Sequence, residues 1–372
     1  MYCLYETKKI YKNKALVFVL IILCVANYIL IFNECAEIKD DMYIAREKLC
    51  REIEGELTRD KVNFIVNNYK QLSQEVASGE FSKEYNSERY TGYVFGDYNF
   101  FGEWNIELER IYNFPTQSQK IYQKAEKNIE LFEMVNNREE SKLQQRTKAN
   151  IKDRQIDKIY DYAQIETYLG YDTSAFLVLM FVMLISVLAF ASDKEMPSLI
   201  NTTRIGKKRI KFQKVSFVIA NAVSVSMVFF IMDLIVFAVN IGLAGWTVPL
   251  YYLPMYGYTP LNISVAGFFV VIFIAKLLAI TTFSIICAFI TMVIKKFLGS
   301  LSVAFILLIL LTQLAPCGEG IFSYLNPLKL ILIRENFLMT SQWIGLCIPF
   351  ILLVVLIIVI VRKGNNNGYE HF

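Results

Sequence analysis

Six stretches of this chain, residues 15–32, 174–192, 215–239, 263–294, 297–315 and 343–361, are apolar almost throughout. A helix needs about 20 such residues to cross roughly 30 Å of hydrocarbon. Lipid offers a backbone no hydrogen-bond partners, so segments of this kind must satisfy themselves as helices. The composition agrees: 55% of the 372 residues are hydrophobic and only 19% charged, too apolar for an ordinary soluble domain. The expected fold class is an all-α polytopic membrane protein with six transmembrane helices and a large, mostly helical extracellular insertion between helices 1 and 2. The chain then divides into residues 1–33, a cytoplasmic N-terminus and first transmembrane helix; 34–173, the insertion; and 174–372, a five-helix transmembrane domain.

Charge placement orients these segments, because basic loops close to membrane ends stay cytoplasmic. Lys8, Lys9, Lys12 and Lys14 precede the first span, and residues 193–214 carry seven basic against two acidic side chains. Lys295, Lys296, Arg362 and Lys363 fall on the same side under six crossings, whereas residues 240–262 carry no charge. Both termini are therefore expected in the cytoplasm and residues 34–173 outside. The first apolar run is expected to remain as an anchor, since Phe32, Asn33 and Glu34 do not form a small-residue cleavage site.

Residues 34–172 hold 27 of the 34 acidic and 20 of the 38 basic residues. From 37 to 77, positions such as Ile38, Met42, Leu49, Ile53, Ile65 and Leu72 recur at three- or four-residue steps without proline, which predicts one long amphipathic helix. A similar pattern at 117–168 predicts a second arm antiparallel to the first, making a stalk. Between them, residues 81–115 are rich in aromatics, including Phe100, Phe101, Trp104 and Phe114. They serve either as an exposed recognition tip or as the small core closing the hairpin. Cys35 and Cys50 on one continuous helix would stand about 22 Å apart, beyond disulfide reach.

The single histidine, His371, excludes a Ser/His/Asp triad or a His-ligated zinc site. No G-x-x-x-x-G-K-[ST] phosphate loop is present, so the chain has no ATPase site of that type. The informative segment is the loop at 193–214, DKEMPSLINTTRIGKKRIKFQK: an acidic exit from a span, a short helix with Leu199 and Ile200, a Thr-Arg-x-Gly turn, and a basic run into the next span. It is either a handle for a cytosolic partner or a positive loop gripping anionic lipid headgroups.

Through Glu195, Thr203, Arg204, Gly206, Lys207 and Lys214 this loop resembles that of the ABC transporter type 2 permease family, the transmembrane subunits of ABC exporters. In that family the segment is a coupling helix that docks on a nucleotide-binding subunit, so the resemblance implies an ATPase-coupling role here. It further implies a cytosolic ABC ATPase subunit as partner, a second permease chain forming a homodimer or heterodimer, and ATP bound by the partner subunit with no cofactor in this chain. Met1 to Lys14 is short for the amphipathic helix that often precedes the family's first span. Asn326 and Pro327 lie where family members have short re-entrant helices sealing the outer mouth, and become extracellular gate candidates; a plain helix break is the other reading.

Asp233 and Lys276 interrupt apolar runs, where each would cost about 2.5–3.5 kcal/mol unpaired, so they are expected to form an intramembrane charge pair. Seven phenylalanines, among them Phe229, Phe230, Phe237 and Phe283, either line a lipid-like substrate groove or pack ordinarily. The expected function is export of a peptide, drug or lipid-like substrate across a bacterial plasma membrane. The alternative is a membrane-anchored receptor or scaffold whose extracellular stalk binds an envelope ligand. Membrane lipid is an expected partner and nucleic acid is not; an intramembrane enzyme lacks a pair of acidic residues for metal or general-base work.

Overall fold

The computed structural model describes residues 8, 11–38, 43–79, 94–152, 154–191, 204–259, 261–294, 296–315, 326–332 and 341–363, of which 38, 43–45, 139, 204–209, 341–346 and 363 are described by their backbone alone. The protein is a multi-pass, all-α membrane protein. Five helical stretches, Lys14–Glu37, Tyr162–Ala191, Ile210–Asn240, Val265–Ile294 and Phe297–Leu314, are long and apolar enough to cross a bilayer. The sixth expected span lies in the helix Ser341–Lys363, whose apolar part with described side chains is Cys347–Arg362.

The chain divides into two compact units. The first contains residues 1–32, 170–238 and 269–372. Helix α1, Lys14–Ile38, enters it behind Asn13, whose side chain accepts from the Ala15 N–H at 3.1 Å. Most of the apolar side chains of α1 face outward, Phe18, Ile21 and Val25 among them, as a lipid-facing helix requires. The helix Thr173–Ala191 is the opposite case: Leu179, Ile185, Val187 and Ala189 are fully enclosed, so this helix is central. Ser186 and Ser284 hydroxyls meet at 2.9 Å between it and the helix Val265–Ile294, a short polar link suited to close helix approach.

The second unit contains residues 33–169 and 239–268. Helix α2, Tyr43–Ile53, ends before Gly55, which sits at φ +100°, a conformation open to glycine. Strand β1, Gly55–Glu56, then pairs antiparallel with β2, Lys158–Ile159, and Thr58 caps α3, Arg59–Ser78. The continuous helix expected over 37–77 is thus broken: the apolar spacing runs through the break, but a glycine followed by a threonine cap allows the chain to leave the helix and re-enter it.

The second expected arm is also redrawn. Helix α4, Val94–Met134, begins well inside the aromatic segment and passes through Pro115. At 1.5 Å per residue its 41 residues extend about 60 Å. The arm then reverses: Asn136 takes a left-handed φ of 55°, and Asn137 caps α5, Arg138–Ile151, which returns along α4 with Lys148 on Glu126 at 2.6 Å. Against the other half of α4 lies α3, in the antiparallel register that stacks Tyr69 on Tyr98 and sets Phe64 edge-on to Phe101. Phe100, Phe101, Trp104 and Phe114 are buried, so these rings form core and not an exposed tip; Phe81, Tyr85, Tyr90 and Tyr93 lie outside the described residues.

The uncharged connection at 240–262 belongs to this unit. Phe114 is stacked between Tyr251 and Tyr258, with ring centroids 5.9 and 5.8 Å away. Buried Arg154 donates to the carbonyl oxygens of Thr259 at 2.6 Å and Leu261 at 3.3 Å, and its guanidinium lies over the Tyr251 ring. Burial lowers its affinity for protons, and these acceptors hold the cation in place. Cys35 and Cys50 are both buried.

Glu54 accepts from the Asp161 N–H at 3.0 Å. Burial pushes its carboxyl above the usual range, that hydrogen bond opposes the rise, and the nearby Asp161 carboxylate adds to it. The folded state therefore holds this proton more tightly than the unfolded chain, and this contribution to stability falls as pH rises from the ordinary Glu value through the raised one. Glu54→Gln should flatten the dependence of thermal stability on pH above the ordinary Glu value of about 4. Phe101→Ala should cost roughly 3–5 kcal/mol in denaturant unfolding of the second unit, against less than about 0.5 kcal/mol for Ile106→Ala on the exposed face of α4.

Candidate functional site

The sequence-selected loop residues divide at Arg204. Glu195, Leu199, Ile200 and Thr203 lie outside the described residues. Arg204, Gly206 and Lys207 form the first turns of a single helix, Arg204–Asn240, which runs from the basic segment into the apolar span. The basic run therefore belongs to the helix that follows and is not a separate connection.

Lys214 shows how this helix is held to its predecessor. Its side chain is buried, and Nζ donates to the Ala189 carbonyl at 2.7 Å, inside the last turn of Thr173–Ala191. The final carbonyls of a helix lack intrahelical partners and carry partial negative charge, so an ammonium placed there is both hydrogen-bonded and electrostatically favoured. The same Nζ lies 5.8 Å from the Phe190 ring centroid. Farther along, Asn221 donates to the Tyr11 hydroxyl at 2.6 Å and so ties the segment ahead of α1 to this helix.

Deeper in the first unit, Asp233 and Lys276 occur in one buried polar cluster, but the expected direct pair is replaced by a wider arrangement. Asp233 accepts from Asn27 Nδ2 at 2.6 Å and from the Ser174 hydroxyl. Asn27 in turn accepts from the Tyr171 hydroxyl at 2.8 Å. Lys276 Nζ stands 2.8 Å from Asp172 Oδ1, an ion pair without hydrogen-bond alignment, and donates to the Tyr171 carbonyl at 3.1 Å. It acts on Asp233 electrostatically while its close partner is Asp172. The correction has a simple reason: Asp172 stands immediately before the apolar helix that begins at Thr173, beside the Lys276 ammonium and at the helix end where a carboxylate is electrostatically favoured. Asn27, Tyr171 and Asp172 were missed by sequence reasoning. Their signals were weak: one amide inside the first span, and two residues at the mouth of the second.

The gate candidates form a turn. Asn326 Oδ1 accepts from the Leu328 N–H at 3.0 Å, Pro327 opens the short 3₁₀ turn Pro327–Leu330, and Asn326 Nδ2 donates to the Leu311 carbonyl at 2.7 Å. Asn326 thereby ties the chain back to the helix Phe297–Leu314. Of the phenylalanines, Phe229, Phe237, Phe268 and Phe283 are buried, and Phe230 packs on Phe273 with centroids 4.0 Å apart. These rings are packing contacts. Among the described residues no group of three or more His, Cys, Asp or Glu side chains could hold a metal ion.

Comparison with protein-family models, curated proteins and solved structures gave no match.

Lys276→Met should leave Asp172 buried without its cation and lower stability by roughly 3–5 kcal/mol. Adding Asp172→Asn should recover much of that loss, whereas adding Asp233→Asn should recover less; fluorescence-detected size exclusion after a heating series checks the order.

Proposed function

We propose that the protein is the transmembrane permease subunit of an ABC exporter, with the 193–214 segment as its coupling element. In this reading six helices cross a bacterial plasma membrane, both termini are cytoplasmic, and residues 34–173 form an extracellular domain. A cytosolic ABC ATPase subunit binds ATP, and a second permease chain completes a homodimer or heterodimer. The substrate is a peptide, drug or lipid-like compound.

The observation that supports this reading is the continuity of Arg204–Asn240. A push on its basic first turns moves a span directly, because helix propagates displacement where a slack loop would absorb it. The Lys214 contact with Ala189 conveys the same displacement to the preceding helix. ATP-driven closure of the ATPases would thereby rearrange two membrane helices at once, which is what reshaping a path between two permease chains requires.

A detergent pull-down of the tagged protein from its native membrane tests the reading. Wild type should bring down an ATPase subunit and ATPase activity, and Glu195→Arg with Arg204→Glu, expressed at normal level, should lose both. Wild type without any ATPase would sink the exporter reading and return the receptor or scaffold reading to the front.

A further inference from the structure

The second unit contains a cleft of about 180 Å³ between α2, α4 and the segment 160–166. Its walls combine carboxylates with aromatic rings: Glu103, Glu107, Asp161 and Glu166 against Trp104, Tyr160 and Tyr162, with Arg46 as the lining cation. The pairing inside it is uneven. Arg46 is matched to Glu103 at 3.1 Å, and Arg110 holds Glu107 through Nε at 2.7 Å. Among the described residues Asp161 receives the Ala163 N–H at 3.1 Å and a long contact from the Cys50 thiol at 3.9 Å. Glu166 receives the Met255 N–H, yet its Oε1 is buried with no hydrogen-bond partner among the described residues.

Tyr162, which also lines the cleft, carries a second such atom. Tyr162 is 5% exposed, and its hydroxyl likewise has no hydrogen-bond partner among the described residues. Tyr162 and Glu166 stand four residues apart on the helix Tyr162–Gly170, so they share one face. A buried hydroxyl and a buried carboxylate oxygen without partners are each costly, and a donor supplied by a ligand relieves both.

We propose that this cleft binds an alkylammonium group, carried by a small amine or by a lysine side chain. An ammonium brings three donors and one positive charge, matching Glu166 Oε1, the Tyr162 oxygen and the local excess of carboxylate. The rings of Trp104 and Tyr160 suit an alkyl stem and attract a cation to their faces. A metal ion fits less well, because these carboxylates do not converge into a metal-holding group. The inference rests on the cleft alone and stands whether or not the chain is an exporter.

The test uses the full chain in detergent, with tryptophan fluorescence followed during titration with n-pentylammonium, an N- and C-blocked Ala-Lys-Ala peptide, and 1-pentanol as neutral control. A saturable change is expected with one or both amines and not with pentanol, and it should vanish in Trp104→Phe. Tighter binding of the peptide than of pentylammonium assigns the group to a lysine side chain, and the reverse assigns it to a small amine. Glu166→Gln should weaken binding about tenfold or more, since a hydrogen bond to a charged group is lost. Tyr162→Phe should keep the elution profile of wild type, because it removes a hydroxyl without a hydrogen-bond partner among the described residues, and weaken binding severalfold. Equal affinity for pentanol and pentylammonium, wild-type binding in Tyr162→Phe, or no saturable response to either amine would each overturn the proposal.

Discussion

A carboxylate placed among apolar helices has to be met by other polar groups, and Asp233 is met from two sides. Asn27 donates from α1, Ser174 donates from the beginning of the next apolar helix, and Tyr171 completes the chain of hydrogen bonds through Asn27. Lys276 joins the same neighbourhood from a further helix through Asp172 and the Tyr171 carbonyl. Apolar side chains slide past one another with little loss, whereas these contacts hold only within a few tenths of an ångström. The cluster therefore sets the register in which four helices of the first unit pack.

The far end of the unit is organised by a different device. Lys214 buries its stem and places its ammonium on the last turn of the preceding helix, so two consecutive apolar helices are held where their connection begins. A polar cluster inside the bundle and a capped helix end stiffen the helix Arg204–Asn240 at both levels. Such stiffness is what a coupling element needs, and it also suits any membrane protein that must hold a fixed helix register. The exporter reading therefore depends on the loop's resemblance for its direction and on this geometry for its mechanics.

The second unit shows where pattern reading succeeds and fails. Its helical character was legible because apolar residues recur at three- and four-residue steps. The positions of its breaks were not, since Gly55 interrupts a pattern that continues on both sides, and Pro115 does not interrupt one that would be expected to stop. Pro115 removes one N–H and strains one turn, a cost that the packed helix around it absorbs. Burial of Phe100, Phe101 and Trp104 likewise follows from α3 lying alongside α4, a pairing that has no local signature. The cleft residues illustrate the same limit: Glu107, Asp161 and Glu166 look like ordinary surface charges in a segment full of them.

By itself, the sequence determined the membrane class, the apolar helices and the concentration of charge between the first two of them, because hydrocarbon tolerates neither exposed backbone nor unpaired charge. It also singled out Asp233 and Lys276, since each stands inside an apolar run, and Lys214 through the resemblance of its loop. Only the tertiary structure decided who meets whom. Lys276 pairs closely with Asp172, Lys214 turns back to Ala189, and the uncharged segment after the third apolar run completes the core around Phe114. The reason is physical: apolarity is a property each residue carries with it, whereas a hydrogen bond or an ion pair depends on distance between residues far apart in the chain, and distance exists only once the chain has folded.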